Sequence, residues 1–275
     1  MKKILRQILK LLARLTIWKF KPDIIAISDS VGKTLTKEAI FAVLKNRYRV
    51  RKSSGNFDNE LGMPLAILGN WEKVGKQVFL FWPMVIVAAF FRLIFLLRSF
   101  YPKILILEYA AAKPGDIKYL LSIAKPKVAV LTAIGDLPVH LEFYADPQAV
   151  VREKSKLIEN LYIDNFAVLN FDDETTVVLK EKTRGKIMTF GFNEGADIKI
   201  TNFENRLENK KIEESGVFFK LEYRGNFVPI ALKSVLGKSH VYAAAAATAV
   251  GLIYGLNLVE IAEYLINNYQ PAKNG

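Results

Sequence analysis

Residues 24–38 read Ile-Ile-Ala-Ile-Ser-Asp-Ser-Val-Gly-Lys-Thr-Leu-Thr-Lys-Glu. Four apolar residues in a row suit a strand covered on both faces, the condition of an interior strand in a parallel sheet. Gly32-Lys33-Thr34 then opens a helical segment over Lys33–Lys45. Strand, glycine turn and helix in this order form the layout of a phosphate-binding loop. Backbone N–H groups of Ser30, Val31 and Gly32 face phosphate oxygens, Lys33 neutralises charge, and the Thr34 hydroxyl suits magnesium. A nucleotide is therefore the first ligand to consider. Asp29 opposes it, standing where a small neutral residue is usual. A carboxylate about 4 Å from a phosphate charge costs roughly 4 kcal/mol at an effective dielectric near 20, before Lys33 or magnesium offsets it.

The same grammar continues on either side. Apolar runs at Asp23–Ser28, Ile104–Glu108, Val128–Thr132, Phe166–Asn170 and Lys186–Phe190 read as strands. Helical stretches at Gly115–Ala124, Pro147–Leu161 and Glu174–Lys182 separate them. The fold class is α/β, a mostly parallel sheet with helices on both faces. After Gly191 the pattern changes. Ala196–Phe203, Val217–Tyr223 and Phe227–Leu232 look like a small antiparallel section, the last two joined at Arg224-Gly225-Asn226. The Ala-rich helix Ser239–Tyr254 follows, stopped by Gly255, and then Leu258–Asn267 with Asn257 as its N-cap. Residues 53–65, rich in glycine and asparagine, read as a shaped loop.

Composition sets outer bounds. At 275 residues the chain has ample material for a core, and 51% apolar residues exclude disorder. The absence of cysteine excludes disulfides and thiolate metal sites. A net charge of +12 suits anionic partners without choosing among them. Residues 1–20 form a basic amphipathic helix, either docked on its own domain or lying on a membrane surface. Residues 78–97 are almost wholly apolar, a helical insertion reaching to residue 100. A bilayer span there would separate the phosphate loop from everything after Tyr101, so a buried hairpin or an in-plane membrane contact is expected instead.

Several polar residues fall just past strand ends, where open α/β sheets bind ligands. Glu108 is placed for a magnesium ion, His140 follows the Val128–Thr132 strand, and Asn170 with Asp172 could read a base or ribose. Each of these, and Lys154 on its charged helix, has an ordinary structural explanation when taken singly.

Their order is more specific. Gly-Lys-Thr, Gly-Asn-x-x-Asn-Glu-x-Gly-x-Pro-Leu, Leu-Glu, Pro-Gly-Asp-Ile, His-Leu-Glu, Glu-Lys-x-Lys-Leu and Leu-Asn-x-Asp-Asp occur in succession from about Lys21 to Pro271. This series resembles the central ATP-binding domain of the Mur ligase family, nearest to the branch that extends the UDP-muramoyl tripeptide. The resemblance implies a P-loop-like domain over residues 21–271, with 272–275 beginning a linker to a further domain. It implies ATP and Mg2+ as cofactors, with Lys33 and Thr34 on the β- and γ-phosphates and metal. Glu108 and Thr34 would hold magnesium, and His140 a second ion together with Lys154, the family's carbamylated lysine. Lys33, His140 and Lys154 would be the catalytic set. Asn56 and Asn59 match the substrate loop, and Asn170 and Asp172 the adenosine side.

Family chemistry is ATP-driven amide formation through an acyl phosphate in peptidoglycan precursor synthesis, with a UDP-muramoyl peptide as substrate. Nucleic acid is not an implied partner. A cytoplasmic place is expected, with peripheral contact at the inner membrane open through residues 1–20 and 78–97. The family's flanking domains have no counterpart in these residues, so incomplete catalysis is expected unless a partner chain supplies what is missing. Besides Asp29, the departures from the family pattern are Leu35, Ala110, Ala112, Ser239, His240 and Ala243. They support an alternative, a degenerate non-catalytic homologue acting as a membrane-surface binding or scaffold module.

Overall fold

The computed structural model describes residues 2–28, 32–54, 59–69, 71, 78–133, 143–206 and 215–270. Its centre is a nine-stranded sheet. Six strands enter it first: β1 (Asp23–Ser28), β2 (Val50–Lys52), β3 (Ile104–Glu108), β4 (Val128–Leu131), β5 (Phe166–Asn170) and β6 (Lys186–Gly191). They are followed by β7 (Ile198–Arg206), β8 (Gly216–Tyr223) and β9 (Asn226–Lys233). The spatial order is β2-β3-β1-β4-β5-β6-β7-β8-β9. Pairing is parallel from β2 through β7 and antiparallel from β7 through β9.

Strand β1 lies between β3 and β4 and is buried from Ile24 to Ser28. Its alternate side chains feed two cores. Ile25 and Ile27 join the layer made with α2 (Lys33–Leu44), α8 (Lys238–Ile253) and α9 (Leu258–Asn268). Ile24 and Ala26 face the opposite layer, built on α1 (Lys2–Phe20), α3 (Gly62–Leu68), α5 (Asp116–Leu121) and α6 (Pro147–Glu159). A period of two residues thus explains why this run has no polar position.

The alanines of α8 serve close packing. Ala243 to Ala247 are buried, and a Cβ on Gly251 would lie 2.9 Å from Val43 of α2 and 2.8 Å from Ile261 of α9. Helix α9 starts with a capping box, in which Asn257 and Glu260 each accept the other's backbone N–H.

Several expectations need correction. Strand β7 is not purely antiparallel, since it pairs parallel with β6 and antiparallel with β8. Residues 62–68 are a helix. Pro64 falls in its first turn, where the missing N–H costs nothing. The apolar segment is one helix, α4 (Val78–Phe95), with Pro83 inside it, followed by a 3-10 turn at Arg98–Phe100; it is not a hairpin. Short helix α7 (Glu174–Val178) passes into a 3-10 turn, so the stretch to Lys182 is not one α-helix. Helix α1 docks on its own domain through Leu9, Ala13 and Phe20. Among the described residues, no helix is long and apolar enough to cross a membrane.

Candidate functional site at the carboxyl edge of the sheet

Strand register sets the site. Ile27 pairs with Glu108, Ser28 with Leu131, and Leu131 with Leu169. The carboxyl ends of β3, β1, β4 and β5 therefore reach one level, carrying Glu108, Ser28, Thr132 and Asn170, all buried. The strand order reverses at β1, which makes this edge a topological switch point.

Helix α2 starts over this edge. Gly32 caps it at φ 104° and ψ −2°, a left-handed conformation that favours glycine, and its carbonyl accepts the Thr36 N–H at 2.9 Å. Lys33 and Thr34 stand half-buried on the first turn. Gly32, Thr36, Thr132, Asn170, Asp172 and Tyr242 line a cavity of about 550 Å3, with Ser239 and Ala243 on its α8 side. Lys33, Thr34, Glu108 and Lys154 do not line it.

Glu108 has a partner that the sequence does not announce. The Nζ of Lys37, one turn beyond Lys33, lies 2.6 Å from its Oε1, and both side chains are buried. The residue expected to bind magnesium is thus held against a lysine of the same helix that opens the site.

Asn170 closes β5, and its Oδ1 accepts the Asp172 N–H at 3.0 Å. The Asp172 carboxylate is engaged within the protein. Its Oδ2 accepts the Phe192 N–H at 2.6 Å and the Tyr242 hydroxyl at 2.8 Å, and its Oδ1 accepts the Asn193 N–H at 2.8 Å. Burial first, then the Asp172 carboxylate, raises the Tyr242 pKa, which keeps its hydroxyl a donor. Asp172 therefore ties β5, the turn after β6, and α8 around the cavity. Tyr242 carries no motif signal and was missed.

Lys154 is buried in α6. Its neighbour Glu153, also buried, accepts the Ile117 N–H of α5 at 3.0 Å and the Lys156 ammonium at 2.5 Å. The charged face expected of this helix is thus partly an internal clamp. Asn59 accepts the Leu61 and Gly62 N–H groups at 3.1 and 3.0 Å, fixing the entry to α3. It also lines a second cavity of about 360 Å3 with Glu60, Ala110, Ala112 and Tyr119. Helix α1 borders this region, through the Arg6–Glu60 ion pair at 2.6 Å and Lys10 over the Tyr119 ring. His240 shares a hydrogen bond with the Tyr269 hydroxyl at 2.8 Å, and burial lowers its pKa. Asp29, Ser30, Val31, Asn56 and His140 lie outside the described residues.

Magnesium takes hard oxygen ligands, often one or two from protein with phosphate and water completing the set. Thr34 and Glu108 fit that donor chemistry. Among the described residues, no three His, Cys, Asp or Glu side chains group into a ready-made metal site.

The sheet order, the glycine-led helix and the cavity at the carboxyl edge define an open α/β domain with its site at the switch point. The chain belongs to the Mur ligase family, whose middle-domain model matches residues 93–251. It is 27% identical over 250 residues to UDP-N-acetylmuramoyl-tripeptide–D-alanyl-D-alanine ligase of Bacillus subtilis (strain 168), covering 90% of this chain and 45% of that one. The Borreliella burgdorferi ligase of the same name is 27% identical over 264 residues, covering 94% and 47%. Among solved structures, MurF of Acinetobacter baumannii matches with a TM-score of 0.75 at 24% identity, over 98% of this chain and 51% of that chain. MurF ligase of Thermotoga maritima, in complex with ADP, matches at 0.71 and 26%, over 94% and 52%. The chain spans about half the length of the curated relatives it matches.

Proposed function

We propose that this chain is the ATP-binding portion of a Mur-type amide ligase, acting on a UDP-muramoyl peptide in peptidoglycan precursor synthesis. One observation carries the reading: a glycine-capped helix and a 550 Å3 cavity meet at the carboxyl edge of a sheet shared with a relative solved with ADP. Lys33 and the backbone N–H groups at the start of α2 bind the β- and γ-phosphates. Asn170 and the frame anchored by Asp172 hold the adenosine side. Thr34 and Glu108 hold magnesium, and His140 with a carbamylated Lys154 a second ion. These ions, when bound, supply neutralisation of charge during phosphoryl transfer. The Asn56–Asn59 loop and the second cavity serve the substrate carboxylate. The domain occupies residues 21–271.

Thermal unfolding with Mg-ATP tests this directly. Ligand at 100 times its Kd adds about 2.7 kcal/mol of stability, a readily measured rise in midpoint. An unchanged midpoint at millimolar Mg-ATP contradicts the proposal.

A second reading, a homologue that no longer ligates, draws on Glu108 being engaged by Lys37 and on the charge of Asp29. Asp29→Gly separates the two. A gain in Mg-ATP affinity of tenfold or more marks an intact but obstructed loop, whereas undetectable binding in both forms favours the second reading.

A further inference from the structure

Helix α1 has two apolar faces, and only one is used inside the domain. Leu9, Ala13, Thr16 and Phe20 are buried. Ile4, Ile8, Leu11, Leu15 and Trp18 recur at the same helical spacing on another side and are exposed, Trp18 to 75%. Helix α4 repeats the arrangement. Phe81, Val85 and Ala89 are buried against α1 and α3, while Leu80, Met84, Val87, Phe91 and Ile94 are exposed at helical spacing. Phe95 at the helix end, with Leu97 and Phe100 beyond it, extends that face. Lys19 Nζ donates to the Leu93 carbonyl at 2.6 Å and Arg98 Nε to the Phe20 carbonyl at 3.0 Å, so the two helices are fastened to each other.

At about 100° per residue, the exposed stripe of α1 is bordered on one side by Leu5 and Leu12. These residues pack into the cluster shared with α4. On its other border the stripe meets the exposed Lys3 and Arg14, while Lys10 turns inward and donates to the Ser122 hydroxyl at 2.6 Å. The two exposed faces therefore adjoin, with cations along one margin. Neither helix contains an acidic residue, and none occurs anywhere in residues 1–22 or 73–107. An apolar surface of this kind on a soluble fold marks an interaction site.

We propose that the paired faces of α1 and α4 form an in-plane docking surface for an anionic lipid bilayer. The apolar side chains enter the boundary between headgroups and acyl chains, and Lys3 and Arg14 meet the headgroup anions. The charge pattern selects this occupant over a second copy of the chain. A symmetric self-contact would place cationic margins together with no carboxylate on either helix to balance them.

Co-sedimentation of the full chain with vesicles tests the proposal. Partitioning into phosphatidylglycerol–phosphatidylcholine vesicles at about 0.1 M salt should exceed that into phosphatidylcholine alone by roughly tenfold or more, and should fall as salt rises. Phe91→Glu with Phe95→Glu should lower partitioning at least tenfold. Lys3→Glu with Arg14→Glu should remove most of the preference for anionic lipid. All four positions are exposed, so circular dichroism and the unfolding midpoint should stay unchanged. Wild-type partitioning that ignores both lipid charge and salt overturns the proposal, and requires no variant to fold. So does undiminished binding by folded Phe91→Glu/Phe95→Glu protein. Lipid-free dimers dispersed by that double substitution would instead assign the face to a second copy.

Discussion

Lys37 Nζ and Glu108 Oε1 lie 2.6 Å apart, with their side chains only 3% and 5% exposed. The pair joins the first turns of α2 to the end of β3, outside the lining of the cavity. Removing one member of a buried pair leaves an uncompensated charge, which costs about 3–5 kcal/mol, whereas removing both can be near neutral. Lys37→Met should therefore destabilise the domain by several kcal/mol in denaturant unfolding. Lys37→Met combined with Glu108→Leu should recover most of the loss. Additive losses in the double variant would contradict the pairing.

Alkaline pH should weaken the fold. Burial pushes the Tyr101 hydroxyl up to about 12, against the lowering influence of Arg51 and Arg92. It donates to the Ile67 carbonyl at 2.7 Å, and its ring stacks on Phe20 with centroids 4.4 Å apart. Its pKa is higher folded than unfolded, so its contribution is fully present below about pH 10. That contribution is lost as pH rises through about 12. Unfolding free energy should be level near neutrality and fall above about pH 10, by roughly 2–3 kcal/mol from this group. Tyr101→Phe should be less stable at neutral pH, by about 1 kcal/mol for the lost hydrogen bond, and have a shallower alkaline slope. An unchanged slope would contradict the assignment.

Gly191 should not accept a side chain. A Cβ there would lie 2.6 Å from Asp172 Oδ1 and 2.8 Å from its Cγ. Asp172 cannot yield cheaply, being held by Phe192, Asn193 and Tyr242. Gly191→Ala should cost about 1–3 kcal/mol of stability. It should also weaken nucleotide binding, because the displaced carboxylate lines the cavity. Calorimetry alongside urea unfolding would measure both, and wild-type values in each would contradict this account of Asp172.

Strands β1, β3, β4 and β5 were legible because their interiors are apolar. β1, β3 and β5 begin and end where their runs do. The capping box at Asn257 and the Ala-rich helix were equally plain. Strand β2 escaped notice because it is an edge strand of three residues, two of them Arg51 and Lys52. Helix α3 hid behind Gly62 and Pro64, residues that usually mark loops yet are tolerated in a first turn. In the site, single positions such as Gly32 and Asn170 could be read from motif order. Their partners could not. Lys37 meets Glu108, and Tyr242 meets Asp172, only because the sheet brings together residues 71 and 70 positions apart. No local spacing encodes such contacts. The amphipathic pattern of α1 reads as a single apolar face; its division into a buried and an exposed stripe is set by packing against α3 and α4.

The most direct test is calorimetric titration of the wild-type chain and its Lys33→Ala variant with a non-hydrolysable Mg-ATP analogue. The account predicts micromolar binding to the wild type and a loss of at least tenfold, about 1.4 kcal/mol, in the variant. No heat of binding at millimolar analogue, or equal affinity in the two proteins, would contradict a phosphate site at the start of α2.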